Sequence, residues 1–436
     1  MGKFSKLIHP FIKREDLEQL AASMAEKTVV MIGEASHGTA DFYHWRRQLT
    51  EILIFKHGFN FVGVEGDWPE LRHAHLYATA DRSKSTAKSA REALTHVHRW
   101  PTWMWANTEM VAFVEWMKTF NETSGTGRSV GLYGIDVYSL FDSIDSVLRL
   151  LEKLDPVMAE KARLRYSCFY PYDRDEKAYL NSLSYCPEGC RQEAIDELVD
   201  VLKMRLAGAT HREREMIFDT QQNARIIVNA ENYYRTMIFG EEDSWNVRDR
   251  HMSDTMQILI GKFGKGIVWA HNTHVGDHDA CEMRERGQVN IGGLMREAIG
   301  KENVGLIGMS TYEGSVIASY NWSGPMTRMI VPPARPHSID FLLNEISVAE
   351  ESTQFYIEFK EVEPNDPIYK ELNKRRSQRA IGVVYNPPFE KFGNYVQSHL
   401  LDRYDAVIFI RETKALTPLM ARPDLGEIAE TYPSTF

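Results

Sequence analysis

Short, almost wholly apolar runs alternate with longer stretches of helical spacing through the first third of the chain. Residues 28–32, 61–64 and 130–135 are such runs, and 267–270 is a fourth far downstream. Runs of this length, bounded by glycine and polar residues, predict strands buried on both faces, as in parallel sheets. Between the first two, residues 39–55 have the spacing of a helix that stops near His57-Gly58, where glycine takes a left-handed cap. Shorter helices are predicted over 15–24 and 109–120. Strand–helix–strand repetition predicts an α/β fold with a mostly parallel central sheet flanked by helices and joined by right-handed crossovers.

The rhythm changes at residue 139. From there to 239 strand signals vanish, and apolar residues recur at helical intervals: Ile144, Val147, Leu148 and Leu151, then Ala194, Leu198 and Val201, then Ile217, Ala224 and Ile227. This predicts a helical insertion packed beside the sheet. A helix over 247–263 leads into the fourth strand. Residues 304–309, 315–319, 354–357, 381–384 and 406–410 look like further strands, with a proline-marked loop (Pro332, Pro333, Pro336) before a helix over 338–345. The expected organisation is a first part of the core over 1–138, the insertion over 139–240, and a second part of the core over 241–436. A Ser/Lys-rich loop is expected over 81–89.

Parallel strands place their C-terminal ends on one edge, and ligands of open α/β sheets bind in the crevice there. Each of the four runs leads into ionisable residues: Glu34 and His37, Glu65, Asp136, and His271 with His274. An imidazole beside a carboxylate is a good general base, because the acid fixes its orientation and raises its basicity. A buried structural histidine would explain His37 alone, but not its grouping with Glu34 and Glu65. If the turn after the fourth strand is tight, His271 and His274 share one side, where such a pair binds a metal or stabilises an oxyanion and moves protons. Arg46 lies about two and a half helical turns beyond His37, in position to hold a carboxylate or oxyanion, with Arg47 the competing choice. Arg248 either binds substrate, pairs with Glu65, or belongs to a charged surface helix start. His278, between Asp277 and Asp279, is expected to face water. Trp68, Trp100, Trp103, Trp105, Tyr233, Tyr234 and Trp245 either line an apolar cleft or cement helices to the sheet.

Composition narrows the choices. The 436 residues carry a formal net charge of −10, which argues against a nucleic-acid surface. The basic run Lys374-Arg375-Arg376 with Arg379 reads as a solvated helix face. No window offers eighteen uncharged apolar residues and no signal-peptide core opens the chain, so a cytoplasmic protein without a membrane partner is expected. The four cysteines make neither a disulfide scaffold nor a zinc site and are expected as free thiols. A nucleophile elbow, a Walker loop and a dinucleotide fingerprint are all absent. A histidine-activated water attacking an electrophile remains, with or without a metal.

The segments Gly33-Glu34-Ala35-Ser36-His37, Arg46, the strand end at Glu65, Gly134-Ile135-Asp136, Arg248-Asp249-Arg250-His251-Met252 and Ala270-His271-Asn272-Thr273-His274 together resemble the erythromycin esterase family. The likeness continues through Val331-Pro332-Pro333-Ala334-Arg335 and Ile381-Gly382-Val383-Val384-Tyr385, so it covers nearly the whole chain. It implies hydrolysis of a macrolactone ester by water without a covalent enzyme intermediate. By the resemblance His37 is the general base, and Glu34 and Glu65 orient it or the water. Arg46, His271 and His274 bind and polarise the ester, and Asp136 and Arg248 support substrate binding. The implied partner is a small-molecule ester, a macrolide in the family's best-known branch, and no cofactor is required. Glu34, His37, Glu65, His271 and His274 would also suffice to hold a metal ion. The family includes members labelled as succinoglycan biosynthesis proteins, so the alternative is an accessory or biosynthetic protein that binds a ligand in the same pocket.

Overall fold

The computed structural model describes residues 6–79, 87–125, 127–204, 207–240, 243–366 and 368–420. Its strands are β1 (His9–Pro10), β2 (Val29–Ile32), β3 (Phe61–Val64), β4 (Gly131–Gly134), β5 (Gly266–Trp269), β6 (Val304–Ala318), β7 (Thr327–Val331), β8 (Gln354–Glu358), β9 (Arg376–Arg379), β10 (Tyr395–Ser398) and β11 (Ala406–Thr413). The main sheet has the order β1-β8-β11-β6-β2-β5-β3-β4, with β7 added to β6. The six strands from β11 to β4 run parallel, while β8, β1 and β7 pair antiparallel at the margins. The α/β fold with a mostly parallel sheet is therefore the one that the alternation of runs predicts.

The central strands are apolar throughout because both faces are covered. Val30, Ile32, Val62, Val64, Ile267 and Trp269 point to one core, and Val29, Met31, Phe61 and Val268 to the other. The first core is covered by α1 (Glu18–Ser23), α2 (Ala40–His57), α3 (Trp68–Ala78), α4 (Ala90–Leu94) and α5 (Thr108–Thr123). Helix α2 ends on Gly58 at φ 76°, a left-handed position that glycine takes without a Cβ penalty.

Between β4 and β5 the chain is helical: α6 (Leu140–Leu154), α7 (Pro156–Tyr166), α8 (Glu176–Leu183), α9 (Arg191–Leu202) and α10 (His211–Phe239). These helices bury a cluster of their own, including Ile144, Val147, Leu151, Ala194, Val201 and Ile227. The 29-residue α10 starts on a Thr210–Glu213 capping box. The second core is covered by α11 (Ser244–Phe263), α13 (Ile291–Ile299) and α14 (Ile339–Ala349), with the one-turn α12 (Asn272–Val275) opening the return to β6.

Several expectations are corrected. Residues 304–309 and 315–319 belong to one long strand, β6. Residues 381–384 form no strand: single bridges tie Ser36 to Ile381 and Ser319 to Val384, and the segment crosses the C-terminal edge of the sheet. The basic run is not a helix face. Arg376 and Arg379 lie in β9, and the fully buried Arg379 pairs with Glu390 at 2.5 Å and donates to the carbonyls of Thr311, Tyr312 and Pro332. The cysteines are not all free, since Cys168 and Cys190 form a disulfide within the insertion while Cys186 and Cys281 remain thiols. The loop expected over 81–89 falls mostly outside the described residues. No described helix is long and apolar enough to cross a membrane.

Candidate active site

The chain leaves β2 toward the face covered by α2 and leaves β5 toward the opposite face covered by α13. The two strands are neighbours, so their C-terminal loops diverge and open a crevice, as at the switch point of doubly wound sheets. Glu34 and His37 lie on the first loop, and His271 and His274 on the second. The next strands along the sheet, β3 and β4, bring Glu65 and Asp136 to the same edge. Gly38 has no room for a side chain here, because a Cβ would sit 1.8 Å from the Ile317 carbonyl oxygen. That close approach docks the His37 loop against β6.

His37 Nδ1 meets Glu34 Oε1 at 2.9 Å, and Glu34 Oε2 lies 2.7 Å from Nη2 of Arg46. Arg46 is fully buried in α2, with its guanidinium 4.3 Å above the Tyr43 ring. With Nδ1 engaged by the carboxylate, Nε2 is the nitrogen of His37 left with a lone pair. The His37 and His271 rings are 4.8 Å apart between centroids. His271 caps α12: its Nδ1 accepts from the Thr273 amide at 3.3 Å and from the Thr273 hydroxyl at 2.8 Å, an assignment that puts the ring hydrogen on Nε2. Burial, seconded by the nearby His37, pushes the His271 pKa well below the ordinary histidine value, so this ring stays neutral.

Beside this pair stands a buried ionic network. Arg248, on the first turns of α11, holds Asp136 with Nε at 2.9 Å and Nη2 at 2.7 Å. Its Nη2 also reaches Glu65 Oε1 at 2.7 Å. Glu65 Oε2 accepts the backbone N–H of His271 at 2.8 Å, which ties the carboxylate to the opposite loop. His274 lies between Glu65 Oε1, 3.2 Å from its Nε2, and Asp249, 2.9 Å from its Nδ1, with Trp245 stacked on its ring at 4.4 Å. Burial favours the charged form of neither partner, yet His274 and Arg248 hold Glu65 well below the usual carboxylate range. For His274, burial works against the charge, but Asp249 and Glu65 outweigh it and its pKa is pushed up to about 9.

The sign of that last shift gives a stability prediction. A histidine whose folded pKa is raised contributes stability that is fully present below its unfolded value near 6.5 and lost as pH rises through about 9. Urea unfolding is therefore expected to show a decline in stability across this window, and His274→Gln should flatten it. An unchanged slope in that variant would contradict the assignment of the charge to His274.

These groups floor a cavity of 580 Å³. His37, Glu65, Asp136, Arg248, His271 and His274 all line it; Glu34 and Arg46 stand behind His37 and do not. Arg46, expected at the substrate, instead contacts Glu34 inside the core. Trp100, Trp105, Tyr233 and Trp245 form walls, whereas Trp68, Trp103 and Tyr234 pack inside the three cores. His278 is buried rather than facing water, beside the backbone of Asn290 and Gly293. Sequence reasoning gave no role to Asp249, Tyr138, Trp322, or the acidic wall formed by Asp67 and Glu70. Asp249 stands beside Arg248 in sequence, but its contact with His274 depends on how α11 meets α12.

A mostly parallel sheet carrying a histidine–carboxylate pair beside a cavity at its switch point is the arrangement of an α/β ligand-binding crevice. The chain belongs to the erythromycin esterase family, a family of hydrolases, whose model matches residues 54–413. It is 19% identical to YbfO of Bacillus subtilis (strain 168) over 424 residues, covering 91% of this chain and 86% of that protein. It is 22% identical to erythromycin esterase type I of Escherichia coli over 300 residues, covering 65% and 70%. A crystal structure described as a succinoglycan biosynthesis protein shares the fold with a TM-score of 0.77 at 18% identity, covering 95% of this chain and 97% of that one. A mutant of the erythromycin esterase EreC in its open conformation matches with a TM-score of 0.63 at 17% identity, covering 92% and 95%.

Proposed function

We propose that this protein hydrolyses a bulky carboxylic ester, of the macrolactone class, with water activated by His37 and no covalent intermediate. The observation that carries this reading is the packing of two buried histidine rings on neighbouring loops, 4.8 Å apart between centroids, at the wall of the cavity. His37 is held on Glu34 with Nε2 free to accept, and the neutral His271 presents an Nε2–H. An ester carbonyl placed between them takes hydroxide from water as His37 Nε2 removes the proton. The tetrahedral oxyanion accepts from His271 Nε2–H. On collapse the C–O bond breaks, and His37 returns the proton to the departing alkoxide. Arg248 and His274 keep Glu65 ionised, and Glu65 fixes the His271 loop through its backbone N–H. The 580 Å³ cavity and its aromatic walls suit a large, mostly apolar substrate.

The test is mass spectrometry of erythromycin incubated with the purified protein. The expected product is heavier by one water. If erythromycin is unchanged while smaller esters are cleaved, the macrolactone part of the reading is wrong. If no ester is cleaved and a ligand still raises the unfolding temperature, the alternative of a binding or biosynthetic accessory protein replaces it.

A further inference from the structure

A second cavity, of 410 Å³ and rimmed by histidines and carboxylates, lies on the outer side of α3 from the active site. Glu70 reaches both. Among the described residues, Glu70, His98 and Asp142 are the one group of three or more whose metal-ligating atoms all lie within 4.8 Å of one another. They come from three separate pieces of chain: α3 in the α/β core, the connection between α4 and α5, and the first turn of α6 in the insertion. Glu70 Oε1 accepts the backbone N–H of His98 at 3.0 Å and of Arg99 at 2.8 Å, which fixes the carboxylate. The same oxygen lies 3.2 Å from His98 Nδ1, and Asp142 Oδ2 lies 3.5 Å from His98 Nε2. Ligands on a tetrahedral zinc are separated by about 3.4 Å, given bonds of about 2.0–2.2 Å. One ring nitrogen of His98 would enter such a set after a small rotation, which its half-exposed side chain allows.

The rest of the cavity offers further donors and also competing cations. His73 and His96 line it with rings stacked 3.6 Å apart and 11° from parallel, and Asp145 adds a third carboxylate. Three cations oppose it. Arg174 pairs with Asp142 Oδ1 and with Asp145, Arg99 lies 3.7 Å from Asp142 Oδ2, and Arg149 lines the cavity. An ion held by charge alone, such as Mg²⁺ or Ca²⁺, loses most from those guanidiniums. An ion that also forms strong bonds to imidazole loses least.

We propose that Glu70, His98 and Asp142 bind one divalent transition-metal ion of the zinc class, which staples the helical insertion to the α/β core behind the active-site wall. This site is separate from the His37–His271 pair and supplies no step of the hydrolysis.

The experiment is calorimetric titration of the chelator-treated, dialysed full chain with ZnCl₂ alone. One ion per chain is expected, with a zinc-dependent rise in unfolding temperature. His98→Ala, at a half-exposed position that leaves the core packing intact, should weaken binding at least about tenfold and abolish that rise. Asp142→Asn should do the same, and His271→Ala should bind zinc as the wild type does. Absence of zinc binding, or binding undiminished in His98→Ala, overturns the proposal. Zinc lost in His271→Ala but kept in His98→Ala also overturns it, by moving the ion to the hydrolytic centre. A cobalt(II) visible spectrum that His98→Ala abolishes would tie the bound ion to this imidazole whatever the folding of the aspartate variant.

Discussion

Replacing His37 by Asn is expected to lower kcat for ester hydrolysis by about 10²–10⁴-fold, the range that general-base catalysis supplies. Asparagine preserves a polar group near Glu34 but has no basic nitrogen, so water is no longer deprotonated as it attacks. KM should change little, because the walls of the cavity are untouched. The unfolding temperature should stay near that of the wild type, since His37 faces the cavity and only its Nδ1 is committed to Glu34. Steady-state rates on any ester that the wild type cleaves provide the check. A variant within tenfold of the wild-type kcat would remove His37 from the mechanism.

Arg248→Met should be the most damaging substitution for stability, by about 3–5 kcal/mol. Methionine replaces the buried stem but not the charge; it strands the almost wholly buried carboxylate of Asp136 and leaves Glu65 with His274 as its one remaining counter-ion. The cost is that of leaving charge buried without its counter-ion, and it exceeds what a surface ion pair is worth. Arg248→Lys should recover only part of the loss, because an ammonium cannot span Asp136 and Glu65 with a planar fork. Urea unfolding gives the measurement. A loss under about 1 kcal/mol for the methionine variant would mean that the network does not hold this edge of the sheet together.

The sheet was legible where burial on both faces removed polar residues from a strand. The runs at 28–32, 61–64, 130–135 and 267–270 became β2, β3, β4 and β5 with shifts of a residue or two. Their order in the sheet was not legible, since β5 lies between β2 and β3 although residues 65–265 separate it from β3 in the chain. The partially exposed edges misled. Residues 381–384 are apolar because they wall the cavity and pack on β6, not because they pair in a ladder. The strand β9 hides behind arginines whose charge Glu390 and Glu371 neutralise, and a basic run carries no sign of that.

At the site, the residues at strand ends could be found because the topology of parallel sheets collects them. Glu65, His271 and His274 line the cavity for that reason. What could not be read was which groups face each other across loops. Arg46 was placed by helical spacing on the right side of α2, yet it spends its charge on Glu34 inside the core. The disulfide between Cys168 and Cys190 joins the 3₁₀ segment Ser167–Tyr172 to the start of α9 within the insertion, a proximity that the 22-residue separation does not announce.

The division of labour around the cavity has an evolutionary corollary. The histidines and carboxylates of the cavity floor follow the C-terminal ends of β2, β3 and β5, with Arg46 beside Glu34 and Arg248 beside Glu65. The surfaces that meet the bulk of a ligand are Tyr138 and Tyr233 by the insertion, Trp100 and Trp322 on loops, and Phe389 and Phe392 on the rim. Phe389 and Phe392 are 61% and 75% exposed, so they carry no packing duty that would resist replacement. Substitutions at these outer positions can therefore alter which molecules the cavity admits without touching the buried ionic network at its floor. Relatives with the same floor need not share a diet.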